Sequence, residues 1–355
     1  MRGNLFLPIT VFQKEYDTIK KIVACMYTID TSTMSRTAEL EDSILKVLAW
    51  FDLFNYPLAA PEVLCFLERR VSTEELDAVL QYLVKGALVF EQDGYYSLQQ
   101  RAELVPRRIK GNQKAGKLLK TAHKIARLLY HFPYVRGVCI SGSLSKNFAD
   151  DNADIDFFII TRANRLWIAR TMMHLFKKLT YLWGGQHCFC MNYYIDEEAL
   201  LIREQNYFTA IEIATLMPVC GNETIPQFFR ENNWVQQYFP GYVAKTAAYE
   251  DNGRRYWFKR SGERIFNGRL GSRLENYLMQ LTTRRWKQKE DEQRLNMRGV
   301  RMGLATGKHF SKPNPVFFQH SILQQYQQKL DAVWARRARI HTADQTLQPA
   351  HVNLH

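Results

Sequence analysis

Asp154-Ile155-Asp156 opens one of the most apolar runs of the chain, Phe157-Phe158-Ile159-Ile160. In an extended chain, residues i and i+2 face the same side. The spacing therefore predicts that Asp154 and Asp156 project together, with Ile155, Phe157 and Ile159 facing the other way. Two carboxylates held close on a half-buried strand repel, and desolvation raises the cost. A divalent cation with oxygen ligands offsets that cost. Mg²⁺ in particular is held by one or two carboxylates together with substrate phosphates.

Upstream, Ser141-Gly142-Ser143 ends the apolar run Val138-Cys139-Ile140. Glycine lets a backbone approach a phosphate closely, and amide groups with a serine hydroxyl can hold phosphate oxygens. Lys146 adds a positive charge a few residues on. Gly142, Ser143 and Lys146 are therefore the expected nucleotide-binding residues, and Asp154 and Asp156 the expected metal ligands and catalytic carboxylates.

Gly142-Ser143 followed by Asp154-Ile155-Asp156 resembles the signature of the DNA polymerase β-like nucleotidyltransferase superfamily, and most nearly its minimal bacterial members. The resemblance covers about 90 residues around the motif, within the usual size of one domain. Asn147 and Ala153 depart from the family pattern, which has Gly and Ser there; Asn also tolerates a left-handed backbone. The resemblance implies two Mg²⁺ ions, with Mn²⁺ as a substitute, and an NTP substrate, ATP first. It implies transfer of a nucleoside monophosphate to a hydroxyl on a small molecule, a nucleic acid or a protein. It also implies a third carboxylate on a neighbouring strand. In Cys188–Asp196, Asn192, Tyr194 and Asp196 are expected on one face and Met191, Tyr193 and Ile195 on the other. Asp196 is the candidate acid on the polar face. Asn192 sits more centrally, but an amide cannot act as a base. The alternative function is a nucleotide-sensing regulator with weak or no catalysis, whose winged-helix-like module binds DNA or a protein partner.

The rest of the chain frames this site. Residues 1–39 form an extension without a recognisable secretory signal. Residues 40–105 carry helical periodicity, a Ser72–Glu75 capping box, and Asp93-Gly94 between two β-segments. That order resembles a winged helix. Its third helix begins Glu74, Glu75, Asp77, which disfavours contact with DNA phosphates. A basic amphipathic helix, 112–131, leads into the catalytic domain, 106–205. Residues 206–345 read as a helical region and 346–355 as a tail. The expected class is thus α/β (α+β), a nucleotidyltransferase fold whose mixed sheet is flanked by helices.

No apolar run is long enough to span a membrane. The six scattered cysteines, at 25, 65, 139, 188, 190 and 220, lack zinc spacing and suit a reducing, cytoplasmic setting. Gly303–Lys308 is one residue short of a phosphate-binding loop. Lys308, Lys312 and Arg165 are minor phosphate candidates, and Trp234 and Phe239 are expected in the core. Of the net charge of +13, +10 lies between Arg254 and Lys308, where 15 Lys and Arg face 5 Asp and Glu. Such a segment suits a polyanion.

Overall fold

A computed structural model describes residues 35–151, 153–180, 190–221, 223–248, 257–295, 301–315 and 317–347. Most of the expected 1–39 extension, together with Cys25 and Cys188, lies outside them.

The N-terminal part begins with helix α1 (residues 35–52), whose Leu40, Ile44, Leu45 and Leu48 are fully buried. Asn55 turns the chain with φ of 52°. Strand β1 (Leu58–Ala59) leads into helix α2 (Ala60–Cys65), with Pro61 in its first turn. Helix α3 (Thr73–Lys85) starts where expected: the Ser72 hydroxyl accepts the Glu75 amide at 3.1 Å. Strands β2 (Phe90–Gln92) and β3 (Tyr95–Ser97) form the expected hairpin. Asp93 and Gly94 both have positive φ, 52° and 78°, as a two-residue turn that follows the sheet twist requires. β1 joins them in a three-stranded antiparallel sheet ordered β1-β3-β2.

Helix α4 (Leu104–Tyr130) follows. It starts earlier than the basic periodicity suggests and runs straight through the expected boundary at 105/106. Pro106 sits in its first turn, where a missing amide costs no helical bond. Arg108, buried on this helix, stacks on Tyr56 and Tyr95 at 4.3 and 4.5 Å and bonds Glu62 at 2.7 Å. The first helices are thereby fixed to α4.

The main sheet is mixed, ordered β7-β4-β5-β6-β9-β8. Its strands are β4 (Val135–Ser141), β5 (Asp156–Thr161), β6 (Cys190–Asp196), β7 (Met217–Cys220), β8 (Met302–Thr306) and β9 (Phe310–Pro315). β5 and β6 are parallel, and the crossover between them contains helix α5 (Leu166–Thr180); the other pairs are antiparallel. The region beyond 206 is therefore not purely helical, because three of its strands complete this sheet. β7 has only four residues, too few to show a period of two. β9 carries Pro313 and Pro315, which read as loop. The Gly303–Lys308 stretch lies in β8 and the turn to β9, with Gly307 O accepting the Trp167 indole N–H at 3.3 Å.

The helices of this region are α6 (Tyr207–Thr215), α7 (Thr224–Glu231), α8 (Trp257–Ile265), α9 (Arg269–Asp291) and α10 (Phe318–Leu347). One face of the sheet, with Cys139, Phe158, Ile160 and Ile195, shares a core with α1, α3, α6, α7 and α10. The other face, with Ile140, Phe157, Ile159 and Tyr194, packs on α4, α5 and α9. Trp234 and Phe239 belong to the first core, as expected. The first core runs unbroken from the N-terminal helices to the sheet, so the two parts are packed as one body.

Candidate functional site

The alternation around Asp156 is as expected. Ile155, Phe157 and Ile159 are buried in the α4–α5 core, which leaves Asp156, the first residue of β5, on the opposite face; Asp154 lies just before the strand, close enough for its charge to act on Asp156. Ser141 at the end of β4 pairs with Asp156 at the start of β5, which brings the Gly-Ser turn onto the aspartates. Gly142 has φ of 68°, and a Cβ there would lie 2.4 Å from Asp156 Oδ2. Only a residue without a side chain lets the turn close on the carboxylate.

After the turn, Leu144–Lys146 form one turn of 3₁₀ helix, ended by Asn147 in the left-handed conformation at φ 57°. Asn147 thus takes a backbone conformation that usually favours Gly. Ser143 is exposed at the tip, and the Ser145 hydroxyl donates to Gly142 O at 2.9 Å. Tyr56, from the N-terminal part, donates its hydroxyl to Lys146 O at 2.9 Å.

Burial, then the Asp154 carboxylate, push the Asp156 carboxyl up to about 7. Asn192 Nδ2 donates to Asp156 Oδ1 at 2.6 Å. Asn192 Oδ1 accepts from the Cys190 thiol at 3.1 Å. That thiol is pushed up to about 12 by burial and by Asp156, so it stays protonated and able to donate.

The third expected acid is not in this site. Asp196 pairs with Thr161, whereas Asp156 pairs with Cys190. Five residues of strand separate the two positions, about 16 Å. Asp196 is fully buried, and its carboxylate accepts the Asn164 amide at 2.8 Å, the Glu198 amide at 3.0 Å and His309 Nδ1 at 2.9 Å. It ties the β8–β9 turn to the sheet.

A bulge explains why face counting misplaces this acid. The register of β5 on β6 shifts between Phe157 and Phe158, leaving Asn192 as the extra residue. Beyond the bulge the faces exchange. Tyr193 and Ile195 join the core of Phe158, while Met191 and Tyr194 share the other. Asn192 stands beside Asp156, and Asp196, six residues past Cys190, lies at the far end of the strand with or without the bulge.

Lys146 is close to the site but already engaged: its Nζ donates to Gly142 O at 3.1 Å and to Glu212 Oε1 at 2.8 Å. Glu212, on α6, belongs to no motif of the sequence. Its one signal is a lone carboxylate inside the apolar stretch Tyr207–Pro218. Lys312 lies on β9 beside Tyr193, with Nζ 5.1 Å from that ring, on the Asp156 side of the sheet. Burial lowers the Lys312 and Lys245 ammonium groups from their usual range. Arg165 is not near the site: it is buried and donates to the Phe266 and Asn267 carbonyls at 3.1 and 3.0 Å.

Among the described residues, no three His, Cys, Asp or Glu side chains are grouped to hold a metal ion by themselves. The oxygen donors here are the two carboxylates, since Asn192 turns its Nδ2 to Asp156 and its Oδ1 to the Cys190 thiol; carboxylates suit a hard cation whose remaining ligands are phosphate and water oxygens. Among the described residues, too, no helix is long and apolar enough to cross a membrane. Compared with known proteins, this chain matches no protein-family model, no curated protein and no solved structure.

Proposed function

We propose that the chain binds a nucleoside triphosphate, ATP first, with Mg²⁺, and transfers its nucleoside monophosphate to a hydroxyl acceptor. The reading takes the mixed-sheet part as a nucleotidyltransferase fold and the first helices and hairpin as a winged-helix-like module. One observation carries it: Gly142, at φ 68°, is seated on the Asp156 carboxylate, so the turn that would hold phosphate lies against one of the aspartates that would hold the cation.

Asp154 and Asp156 would hold the cation, with Mn²⁺ as a substitute of the same oxygen preference. When bound, the cation would neutralise charge on the phosphates and on the departing pyrophosphate. The Gly142-Ser143 turn would hold the phosphate oxygens, and Lys146 would move from Glu212 to the phosphates. The acceptor oxygen forms the new bond to the α-phosphorus. The bond from that phosphorus to the bridging oxygen breaks, pyrophosphate leaves, and the acceptor proton passes to a base.

Asn192 favours a second reading. It stands beside Asp156 at 2.6 Å, where a third carboxylate would complete the site, and it cannot take a proton. The protein then binds the nucleotide without turnover, and the bond from Tyr56 to Lys146 O links occupancy to the N-terminal part.

Incubation with Mg²⁺ and each labelled NTP, in the presence of a lysate-derived acceptor pool, separates the readings. Transfer releases pyrophosphate and labels an acceptor, and Asp154→Asn with Asp156→Asn abolishes both. Metal-dependent binding without pyrophosphate supports the sensing reading. Nucleotide binding unaffected by the double substitution refutes both.

A further inference from the structure

The basic segment beyond residue 254 is not accounted for by the nucleotide site, and its helices show where the charge goes. On the inner side of α8, Lys259 Nζ donates to Tyr130 O at 3.0 Å and Glu263 pairs with Arg136 at 2.8 Å. On the inner side of α9, Leu274, Leu278 and Met279 pack on the sheet. There, too, the buried Glu275 carboxylate accepts the Trp167 and Ile168 amides at 2.7 and 2.9 Å. Glu290 accepts the Leu304 amide at 2.9 Å. These three acids of the segment are thus committed to internal partners, while most of its cations, Lys259 excepted, stay on the exposed side.

The outward positions of α9 fall at helical spacing: Arg269, Arg273, Tyr277, Gln280, Arg284 and Lys287. They cover about 27 Å of one helix face. Arg269, Arg273, Arg284 and Lys287 are exposed, and none makes an ion pair or hydrogen bond among the described residues. Tyr277 lies among them with 60% of its surface exposed, and on α8 Trp257 is 77% exposed near Arg260 and Arg264.

We propose that the outer face of α8 and α9 binds single-stranded nucleic acid, with the four α9 cations on successive phosphates and Tyr277 and Trp257 as stacking surfaces for bases. Charge complementarity selects a polyanion. A lipid surface fits less well, because Leu274, Leu278 and Met279 of α9 are already packed into the core and its outward face, which also exposes Leu270 and ends at Asp291, is mostly cations and amides. A duplex fits less well, because exposed aromatic rings beside arginines suit unstacked bases, which a duplex does not offer. The face is on the α5 side of the sheet, away from Asp156, so this site stands apart from the proposed transfer.

The test is fluorescence anisotropy of the full chain with labelled oligo-dT and oligo-U of roughly 12 nucleotides, across a salt series. Four phosphate contacts predict a log–log salt slope of at least about −2.8, a loss of about 50-fold between about 50 and 200 mM salt. The variant Arg269→Gln, Arg273→Gln, Arg284→Gln, Lys287→Gln should lose about 2.8 of that slope with an unchanged thermal melt. Tyr277→Ala should weaken binding about tenfold and leave the slope as it was. Asp154→Asn with Asp156→Asn should bind the strand normally. Wild-type affinity and slope in the quadruple variant overturn the proposal, as does tighter binding to a duplex of equal length. Capture by phosphatidylserine vesicles without oligonucleotide binding also overturns it.

Discussion

Replacing Gly142 by alanine probes the closest contact in the candidate site. At φ of 68° a residue with a Cβ pays a conformational penalty of about 1–2 kcal/mol. The new Cβ would also lie 2.4 Å from Asp156 Oδ2, so the carboxylate must turn away. That carboxylate is pinned through its other oxygen by Asn192 at 2.6 Å, and losing a hydrogen bond to a charged group costs about 1.5–3 kcal/mol. Gly142→Ala should therefore destabilise the protein by roughly 3–4 kcal/mol, with the midpoint of denaturant unfolding lowered and the slope unchanged. The decisive measurement is a double-mutant cycle. In an Asp156→Ala background the contact is absent and only the backbone penalty of about 1–2 kcal/mol remains. The coupling between the two positions should then be about 2 kcal/mol. Equal costs in the two backgrounds would refute the close approach of turn and carboxylate on which the site is built.

Three further outcomes follow from other contacts. Asn192→Asp places a third carboxylate beside Asp156; it should lower stability without metal and tighten Mg²⁺ binding, read by calorimetry with and without the ion. His309→Ala strips a partner from the fully buried Asp196 and should cost about 2 kcal/mol of stability without altering nucleotide binding, which a thermal melt and a binding titration check together. Glu263→Ala removes both bonds to Arg136 and the acceptor of the Tyr134 amide, and should cost about 3 kcal/mol at pH 7. Burial raises the Glu263 carboxyl, but Arg136 and the Tyr134 amide outweigh it and hold the group below its usual range. Its contribution is thus complete above the ordinary glutamate value and fades as pH falls through the depressed native one. The gap between wild type and variant should narrow as pH falls below the ordinary glutamate value, as denaturant melts at several pH values would record.

What the sequence displays is local. Asp93-Gly94, the Ser72 cap and the alternation through Asp156–Ile160 each depend on neighbours a few residues away, and each is where the pattern puts it. The bulge at Asn192 is different. Nothing in Cys190–Asp196 marks one residue as extra, since the shift arises only when β6 is laid on β5. A strict period of two then assigns Tyr193 and Asp196 to the wrong faces. β7, β8 and β9 are hidden for a related reason: their partners lie far away in sequence, and short or proline-bearing strands carry no periodic signal of their own. Glu212 reaches Lys146 only because α6 crosses the mouth of the Gly-Ser turn, a tertiary fact.

The pairing of β6 with β9 sets a timetable for biosynthesis. Tyr194 finds Ser311 as its partner only after roughly 120 further residues, so at about 5–20 residues per second a nascent β6 keeps an open edge for several seconds or more. An unpaired edge strand is a template for other chains. Truncation near residue 205 would make that transient condition permanent, and the excised motif domain should aggregate where the whole chain remains dispersed.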